Sequence, residues 1–579
     1  MKIILHYITF FITTIVVAQC QLVQTNIREN NFHYKDLNVQ KIDDTSNDII
    51  VAGSRFTSNF AGQKLQLTRL NANTGAVVWE SHYDNYPITR GFDITQFSNN
   101  GSIFIAATGY AGDGTNFNEA YIVIIDASTG VVVQDNAYRF NNITHTQGLH
   151  IIFTASNYNG SSTPGFVVAG YYTEEYRIDF NNINNGFIMR TDINLNELWT
   201  TSTNSNTAVS IDYDMLNHVT ETNDGFFVTG ASNDPTGNQQ GVAMMKFDYD
   251  GNLLWQQNYL EGNSRDVAVD ALYDPATNWI YVLVYYSQYH YFGITTLDNS
   301  TGNILLNRSW YASGNDLNWT GFSLEYSNDP NTVEDLVIFG YRRDAQVVDP
   351  NGTTVQANTV PFATSFNKFT GTISRANYYP VSYADPANYL DFFRYWDGQS
   401  PLIFHPDISS ELYSGNCYVM VGNRSYGQDS SAMEIIRLDN SSLTGVCNNE
   451  AFSYNQSPIT PISINVNLQS ETATQTALNL VAVSTTGLIG NCENGGVLGT
   501  TDVILPQINI YPNPTSEILT ISNIANSNVF YTIFDIQGKV LTSSTITKDR
   551  IDVSALNSGV YFIKISEEDR NTTLQFIKK

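Results

Sequence analysis

Residues 223–255 contain Asn223-Asp-Gly-Phe-Phe-Val-Thr-Gly230, then Val242-Ala-Met-Met-Lys-Phe-Asp248, Tyr249-Asp-Gly251 and Asn252-Leu-Leu-Trp255. The Asp-Gly and Thr-Gly pairs supply the positive φ that tight hairpins need. The apolar runs of four or five residues suit strands buried between neighbouring sheets. The unit recurs. Its first apolar strand is found at Ile49–Gly53, Phe104–Gly109, Phe166–Gly170, Phe226–Gly230, Ile280–Val284, Leu336–Gly340 and Tyr418–Gly422. Turn glycines follow at Gly75, Gly130, Gly251, Gly302, Gly371 and Gly445, with Asn196 in the third copy. Successive turns lie 55, 66, 55, 51, 69 and 74 residues apart. A single small sheet of this kind cannot bury both faces, whereas a ring of such sheets buries them against neighbours. The expected fold is all-β: a seven-bladed β-propeller followed by a small C-terminal β-sandwich. Separate sandwiches would not explain the repeated turn register.

Composition agrees. Aromatic residues make up 13% of the 579, with 35 Tyr and 31 Phe, and Gly (39) outnumbers Pro (16). That mix favours strands and turns. The net charge of −27 leaves no basic surplus for phosphates, so no nucleic-acid partner is expected. The acidity belongs to residues 19–504, with 20 Lys/Arg against 48 Asp/Glu; from Leu505 to Lys579 there are seven of each. Such a surface gathers cations, Ca²⁺ among them. Asp248-Tyr-Asp-Gly251 looks like the opening of a calcium loop but lacks the bidentate Glu at position 12, so it is read as a turn and no cofactor is expected.

The N-terminus reads as a signal peptide over residues 1–18. Lys2 supplies the positive charge, and Ile8–Val17 is an uncharged apolar run. As a helix that run spans only ~15 Å, about half a hydrocarbon core. Val16-Val-Ala18 fits cleavage after Ala18, and Gln19 before Cys20 argues against lipidation. No later run suits a membrane span. The domain reading is then 19–447 propeller, 448–504 tether hairpin and linker, and 505–579 sandwich. The hairpin would be formed by Ile462–Ser470 and Ala477–Thr485, which alternate apolar and polar residues. Cys447 and Cys492 bracket it. A disulfide there would close a 46-residue loop, worth ~4 kcal/mol in the chain-entropy model. Cys417–Cys447 would yield nearly the same energy. Position favours Cys447–Cys492, because Cys417 opens the strand Tyr418–Val421.

Three resemblances bear on this reading. The 223–255 pattern resembles the propeller repeats of many secreted proteins of Bacteroidetes-type bacteria. Asn71-Ala-Asn-Thr-Gly-Ala-Val-Val-Trp79 and Leu297-Asp-Asn-Ser-Thr-Gly302 also resemble the tryptophan-docking motif of quinoprotein propellers. The paired cysteines of the quinone-binding members are absent, so Trp79, Trp199 and Trp255 are read as blade-packing residues. The C-terminal segment is similar to the type A C-terminal sorting domain of the type IX secretion system. The likeness rests on Tyr511-Pro512-Asn513-Pro514-Thr515, Asp535-Ile-Gln-Gly538-Lys539, Asp552–Gly559-Val-Tyr561 and Phe576-Ile-Lys578-Lys579. It implies passage through the periplasm to the secretion translocon as partner, then release or attachment at the cell surface.

Chemistry is sparse. No nucleophile elbow, H-E-x-x-H or P-loop is present, and no two of the eight His lie at i, i+4. The longest turn spacing, Gly371 to Gly445, holds Arg394-Tyr395-Trp396-Asp397, where rings and hydrogen-bonding groups suit a sugar. A second aromatic cluster is Tyr285–Phe292. The body is therefore expected to be a non-enzymatic binding or adhesion module for an extracellular glycan or protein ligand. The alternative is an extracellular carbohydrate-active enzyme, a glycosidase or polysaccharide lyase. A cluster of ionisable residues with shifted pKa values at the centre of the ring would favour the enzyme.

Overall fold

Each repeat builds a four-stranded antiparallel sheet, one strand more than the sequence pattern displays. The computed structural model describes the strands named below and most of their turns. Residues 1–23, 379–407, 444–449 and 492–508, with short stretches of other connections, fall outside the described residues. The chain divides into two compact units, Met1–Val497 and Leu498–Lys579.

The first unit is all-β. Its sheets, from innermost strand outwards, are blade 1 (Phe32–Lys41, Asp48–Thr57, Lys64–Asn71, Val77–Asp84) and blade 2 (Ile88–Asn99, Ser102–Gly112, Asn118–Asp126, Val132–Arg139). Blade 3 is His145–Thr154, Gly165–Thr173, Ile183–Asp192 and Glu197–Thr203. Blade 4 is Met215–Glu221, Phe226–Asn233 and Gln240–Phe247, with an outer edge split into Leu253–Gln256 and Asn258–Leu260. Blade 5 is Asp266–Asp274, Trp279–Tyr286, Tyr291–Asp298 and Ile304–Tyr311; blade 6 is Asn318–Tyr326, Asp335–Arg343, Thr359–Asn367 and Ile373–Tyr378. Blade 7 takes Ile408–Tyr413, Cys417–Ser425 and Ser431–Asp439 from late in the chain and Gln24–Arg28 from its start.

The apolar runs of the sequence are the second and third strands, and they fill the gaps between blades. Ile50, Leu65 and Leu67 meet Ile105, Val123 and Ile125 between blades 1 and 2. Val167 and Ile188 meet Val228 and Met245 between blades 3 and 4. The same packing continues around to Ile49, Val51 and Leu70 of blade 1 against Val419, Val421 and Met433 of blade 7. Each fully buried aliphatic side chain contributes ~1.5–3 kcal/mol, so the interfaces between sheets carry the stability. The inner strands pack on one another in the same order, and that of blade 7 packs on that of blade 1.

The expected role of the tryptophans holds. Trp79 Nε1 donates to Ala127 O of blade 2 (3.0 Å), Trp199 to Tyr249 O of blade 4 (3.2 Å) and Trp255 to Asn299 O of blade 5 (2.8 Å). A cation sits opposite each on the third strand: Arg69, Arg190 and Lys246. It donates to the same carbonyl, at 2.9, 2.6 and 3.3 Å. Each indole lies over the turn glycine of the next blade. At Gly302, φ is 71° and a Cβ would lie 2.5 Å from the Trp255 ring, so both backbone and space require glycine.

The segment after the seventh blade corrects the hairpin expectation. Its strands do not pair with each other. Glu450–Ala451 adds to the outer edge of blade 6, Asn455–Pro458 to blade 5, Ile462–Ile464 to blade 4 and Leu468–Glu471 to blade 3. Thr474–Thr476 adds to blade 2, Val481–Ser484 to blade 1, and Leu488–Asn491 to Gln24–Arg28 in blade 7. Period-two alternation marks a strand but names no partner. The seven outer strands offered open ladders, and pieces of two to four residues complete them.

The second unit is a sandwich. Asn509–Tyr511, Ile518–Ser522 and Arg550–Asp552 form one sheet; Val540–Thr545, Phe530–Phe534, Gly559–Glu567 and Arg570–Lys578 form the other. Leu519, Ile521, Ile551 and Val553 face Ile533, Ile563, Ile565 and Phe576 across a common core.

Candidate functional site

Of the residues singled out in the body, Arg394, Tyr395, Trp396, Asp397, Cys447 and Cys492 lie outside the described residues. Tyr285, Tyr286 and Phe292 of the second aromatic cluster are buried in the blade packing. The described part of that cluster is core.

The polar chemistry of the body gathers where the sequence pattern was silent, on the inner strands. Six of these strands carry a bulge, and the residue just after it is Asn38, Asp93, His150, His218, Asp270 and Ser323 in blades 1 to 6. A bulge interrupts the ladder and re-aims its side chains. The N–H groups that follow are partly met from the preceding blade. Ile151 N donates to Asp93 Oδ2 (2.8 Å), Val219 N to His150 Nδ1 (3.4 Å) and Leu324 N to Asp270 Oδ2 (2.7 Å). Asn38 Nδ2 donates to Asp93 Oδ1.

Within this layer the four ionisable groups form a row. His150 Nε2 lies 3.5 Å from Asp93 Oδ2, the two imidazoles lie 3.9 Å apart between centroids and tilted by 41°, and His218 Nδ1 lies 3.2 Å from Asp270 Oδ1. Burial pushes Asp93 up to about 8 and Asp270 up to about 7, and it pushes His218 down to about 3 and His150 well below the usual range. The hydrogen bonds agree for Asp270. Thr220 Oγ1 donates to Ala271 O (2.9 Å), so it accepts the proton of His218 Nε2 (2.8 Å). In the neutral imidazole that burial favours, Nδ1 is then the bare nitrogen and faces the Asp270 carboxyl, which burial holds toward its protonated form.

The residues just before these polar groups close the layer on one side. Phe92 and Leu149 join Tyr110, Tyr171, Met215, Ala231 and Val267 in an apolar cluster. Tyr110, Tyr171 and Ala231 stand at or near the ends of second strands, so this cluster lies toward the end of the ring where second strands lead to third strands. Among the described residues no group of three His, Cys, Asp or Glu could hold a metal ion. The row can store and share protons. Its carboxyl oxygens are occupied by Asn38, Ile151, Leu324, Ala271 and the two imidazoles.

A sequence signal for these residues exists in hindsight. Gly91-Phe-Asp93, Gly148-Leu-His150 and Gly321-Phe-Ser323 repeat a glycine, an apolar residue and a polar residue. The bulge spoils the alternation that would have marked the strand.

The two ends of the ring differ. Where first strands turn into second and third into fourth, the connections run to six residues at most, except 155–164 in blade 3 and 327–334 in blade 6. The Asp126, Asp192 and Asp298 side chains accept the N–H two or three residues on, at 2.9 Å. At the other end the chain spans residues 174–182, 204–211, 344–358 and 379–407 between successive blade strands. Arg394–Asp397 belong to the last of these.

In the C-terminal unit the motif residues meet. Asn513 Nδ2 donates to Gln575 O and its Oδ1 accepts from Ile577 N, both at 2.9 Å. Thr515 N donates to Ile577 O (2.9 Å) and Lys579 N to Thr515 O (2.8 Å). The turn through Tyr511, Pro512, Asn513 and Pro514 is thus stitched to the strand ending at Lys578. Tyr561 stacks on Phe576 at 5.6 Å, and its hydroxyl donates to Asn557 O (2.8 Å), closing the turn before Gly559. Gly538 lies outside the described residues.

Residues 509–579 match the secretion system C-terminal sorting domain. The chain is therefore a secreted β-propeller protein with a type IX sorting domain, bound for the cell surface or the extracellular space. Among the described residues no helix is long and apolar enough to cross a membrane. No curated protein matches the chain. Among solved structures, a Dyadobacter fermentans protein of unknown function is 9% identical with a TM-score of 0.33, covering 72% of this chain and 98% of that one. A GH43_1 enzyme from Xanthomonas citri is 11% identical with a TM-score of 0.23, covering 57% and 94%. The extracellular domain of a hybrid two component system from B. thetaiotaomicron is 11% identical with a TM-score of 0.17, covering 94% and 91%. Likeness this low carries no functional information.

Proposed function

We propose that the propeller is a non-enzymatic binding or adhesion module that works outside the cell after type IX export. The supporting observation is the state of the central layer. The acids and imidazoles there are buried, bonded to neighbouring blades and covered on one side by Phe92, Leu149, Met215 and Val267. A glycosidase needs two carboxyl groups open to a sugar. Binding falls instead to the end of the ring with the long connections, and Arg394, Tyr395, Trp396 and Asp397 are the proposed contacts for a glycan. Residues 1–18 serve as the signal peptide, with the translocon as export partner. A disulfide between Cys447 and Cys492 closes the end of the body.

A second reading, the carbohydrate-active enzyme, draws support from the same layer, since carboxyl groups raised to about 8 and about 7 are suited to proton donation. One experiment separates the two. Exported, processed protein is tested on a glycan panel for both binding and reducing-end release. Binding without turnover supports the proposal, and turnover that is lost in Asp93→Asn or Asp270→Asn establishes the enzyme.

A further inference from the structure

Propeller blades normally end in an open outer strand, a row of unpaired N–H and C=O groups that invites pairing with other chains. Here residues 450–491 visit blades 6, 5, 4, 3, 2, 1 and 7 in that order, against the direction in which the ring was built. Each visit adds a short antiparallel strand. The body also reaches out to hold the segment. Asp135 accepts Leu478 N on Oδ1 (2.8 Å) and Leu480 N on Oδ2 (2.6 Å), while Asn85 Nδ2 donates to Leu478 O (3.1 Å). Glu197 Oε2 accepts Ala473 N (2.8 Å). Leu478 and Leu480 are buried with Leu67, Tyr83 and Val123 in the core between blades 1 and 2. The circuit ends on blade 7, where Leu488–Asn491 covers the outer side of Gln24–Arg28 and Ser431–Asp439 covers its inner side.

We propose that residues 450–491 are the lock of the propeller: a strap of the same chain that shields the blade edges and traps the N-terminal strand to hold the ring shut. Without the strap, ring closure in blade 7 would rest on one five-residue strand paired along one side only. With it, that strand is interior to a sheet. Asp135 and Glu197 are the clamps: the Asp135 carboxylate accepts two backbone N–H groups of the strap and that of Glu197 accepts one. The segment has no Lys or Arg, and none occurs from Leu438 to Gly538. Its hold is therefore backbone pairing, carboxylate clamps and two buried leucines, with no cationic contact of its own. The strap must remain in the working body, so any trimming of the sorting unit has to cut beyond Asn491.

Hydrogen–deuterium exchange on the full chain tests this. In the parent, amides of 474–484 and of Gln24–Arg28 should be protected like those of the outer blade strands. Asp135→Asn replaces an acceptor by a donor and should speed exchange of Leu478 and Leu480 by about tenfold or more, with the outer strand of blade 5 unchanged. Ile489→Pro breaks the last ladder and should speed exchange of Gln24–Arg28 by a similar factor. Exchange of 474–484 at unstructured-chain rates in the parent would overturn the lock. So would undiminished protection of Gln24–Arg28 in Ile489→Pro alongside an unaffected Asp135→Asn. Light scattering showing a dimer held by exchanged straps would overturn the intramolecular reading.

Discussion

Replacing Trp255 by Ala examines how one blade is fastened to the next. The indole is partly buried, packs 5.9 Å from the Phe227 ring, covers Gly302 and donates to Asn299 O at 2.8 Å. A fully buried Trp→Ala change costs ~3–5 kcal/mol, and partial exposure brings the packing share to roughly 2 kcal/mol. The lost hydrogen bond adds about 1 kcal/mol. It adds no more, because Lys246 Nζ still donates to Asn299 O and the carbonyl is not orphaned. The expected total is about 3 kcal/mol. Trp255→Phe keeps much of the ring and loses only the donor, so it should cost about 1 kcal/mol. Urea unfolding of the full chain, followed by far-ultraviolet circular dichroism, measures both. A loss below about 1 kcal/mol for the alanine variant would refute the docking account. A phenylalanine variant as damaging as the alanine one would show that the N–H, not the packing, holds the blades.

Four other outcomes are expected. The Asp93 and Asp270 carboxyl groups, raised to about 8 and about 7, lose their stabilising share as pH rises from about 4 through 8, while His218, lowered to about 3, and His150, lowered well below the usual range, lose theirs as pH falls from 6.5, so the two pairs offset one another between about pH 4 and 6.5. Stability should therefore be greatest between about pH 4 and 6.5, and unfolding near pH 7 should release protons; calorimetry in buffers of different ionisation enthalpy measures this. Asp270→Asn keeps the acceptor for Leu324 N and can turn its amide N–H to His218 Nδ1, but it loses the acceptor of Ala271 N and so should cost about 1 kcal/mol or more; the cost should be smaller at pH 8 than at pH 5, and the opposite trend would assign the charged form to Asp270. Trp396→Ala should abolish glycan binding with little change in melting temperature, whereas a cost of ~3–5 kcal/mol would make Trp396 a packing residue. Mass spectrometry of culture medium and surface fractions should find a body that begins at Gln19 and lacks the sorting unit, against the full-length chain expected of a protein that stays in the cell.

The sequence alone determined what depends on neighbours along the chain. The Asp-x-x-x-Gly and Asp-Gly turns recur because positive φ and a capping carboxylate are local requirements, so the repeat and the turn glycines Gly75, Gly130, Gly251, Gly302 and Gly371 were legible, whereas the left-handed residue of the third copy is Leu195 and not Asn196, and that of the last is Leu443. Runs such as Phe226–Gly230 and Val242–Phe247 are apolar because both faces of a middle strand are buried, and that too is written locally. The sorting unit was legible from Tyr511–Thr515 and Phe576–Lys579, whose contact with one another then explained why both are needed. Only the tertiary structure decided the inner strand, the central layer and the strap. Asp93, His150, His218 and Asp270 come from four blades, and what they do depends on which N–H groups the next blade's bulge leaves open. Ile462–Ile464 and Val481–Ser484 look like partners because strand patterning has a period but no address. Each found instead a free ladder on a distant blade, Asn258–Leu260 for one and Ser81–Asp84 for the other. A strand pairs through backbone groups that every residue but proline carries, so its partner is chosen by where the rest of the fold leaves an edge unpaired.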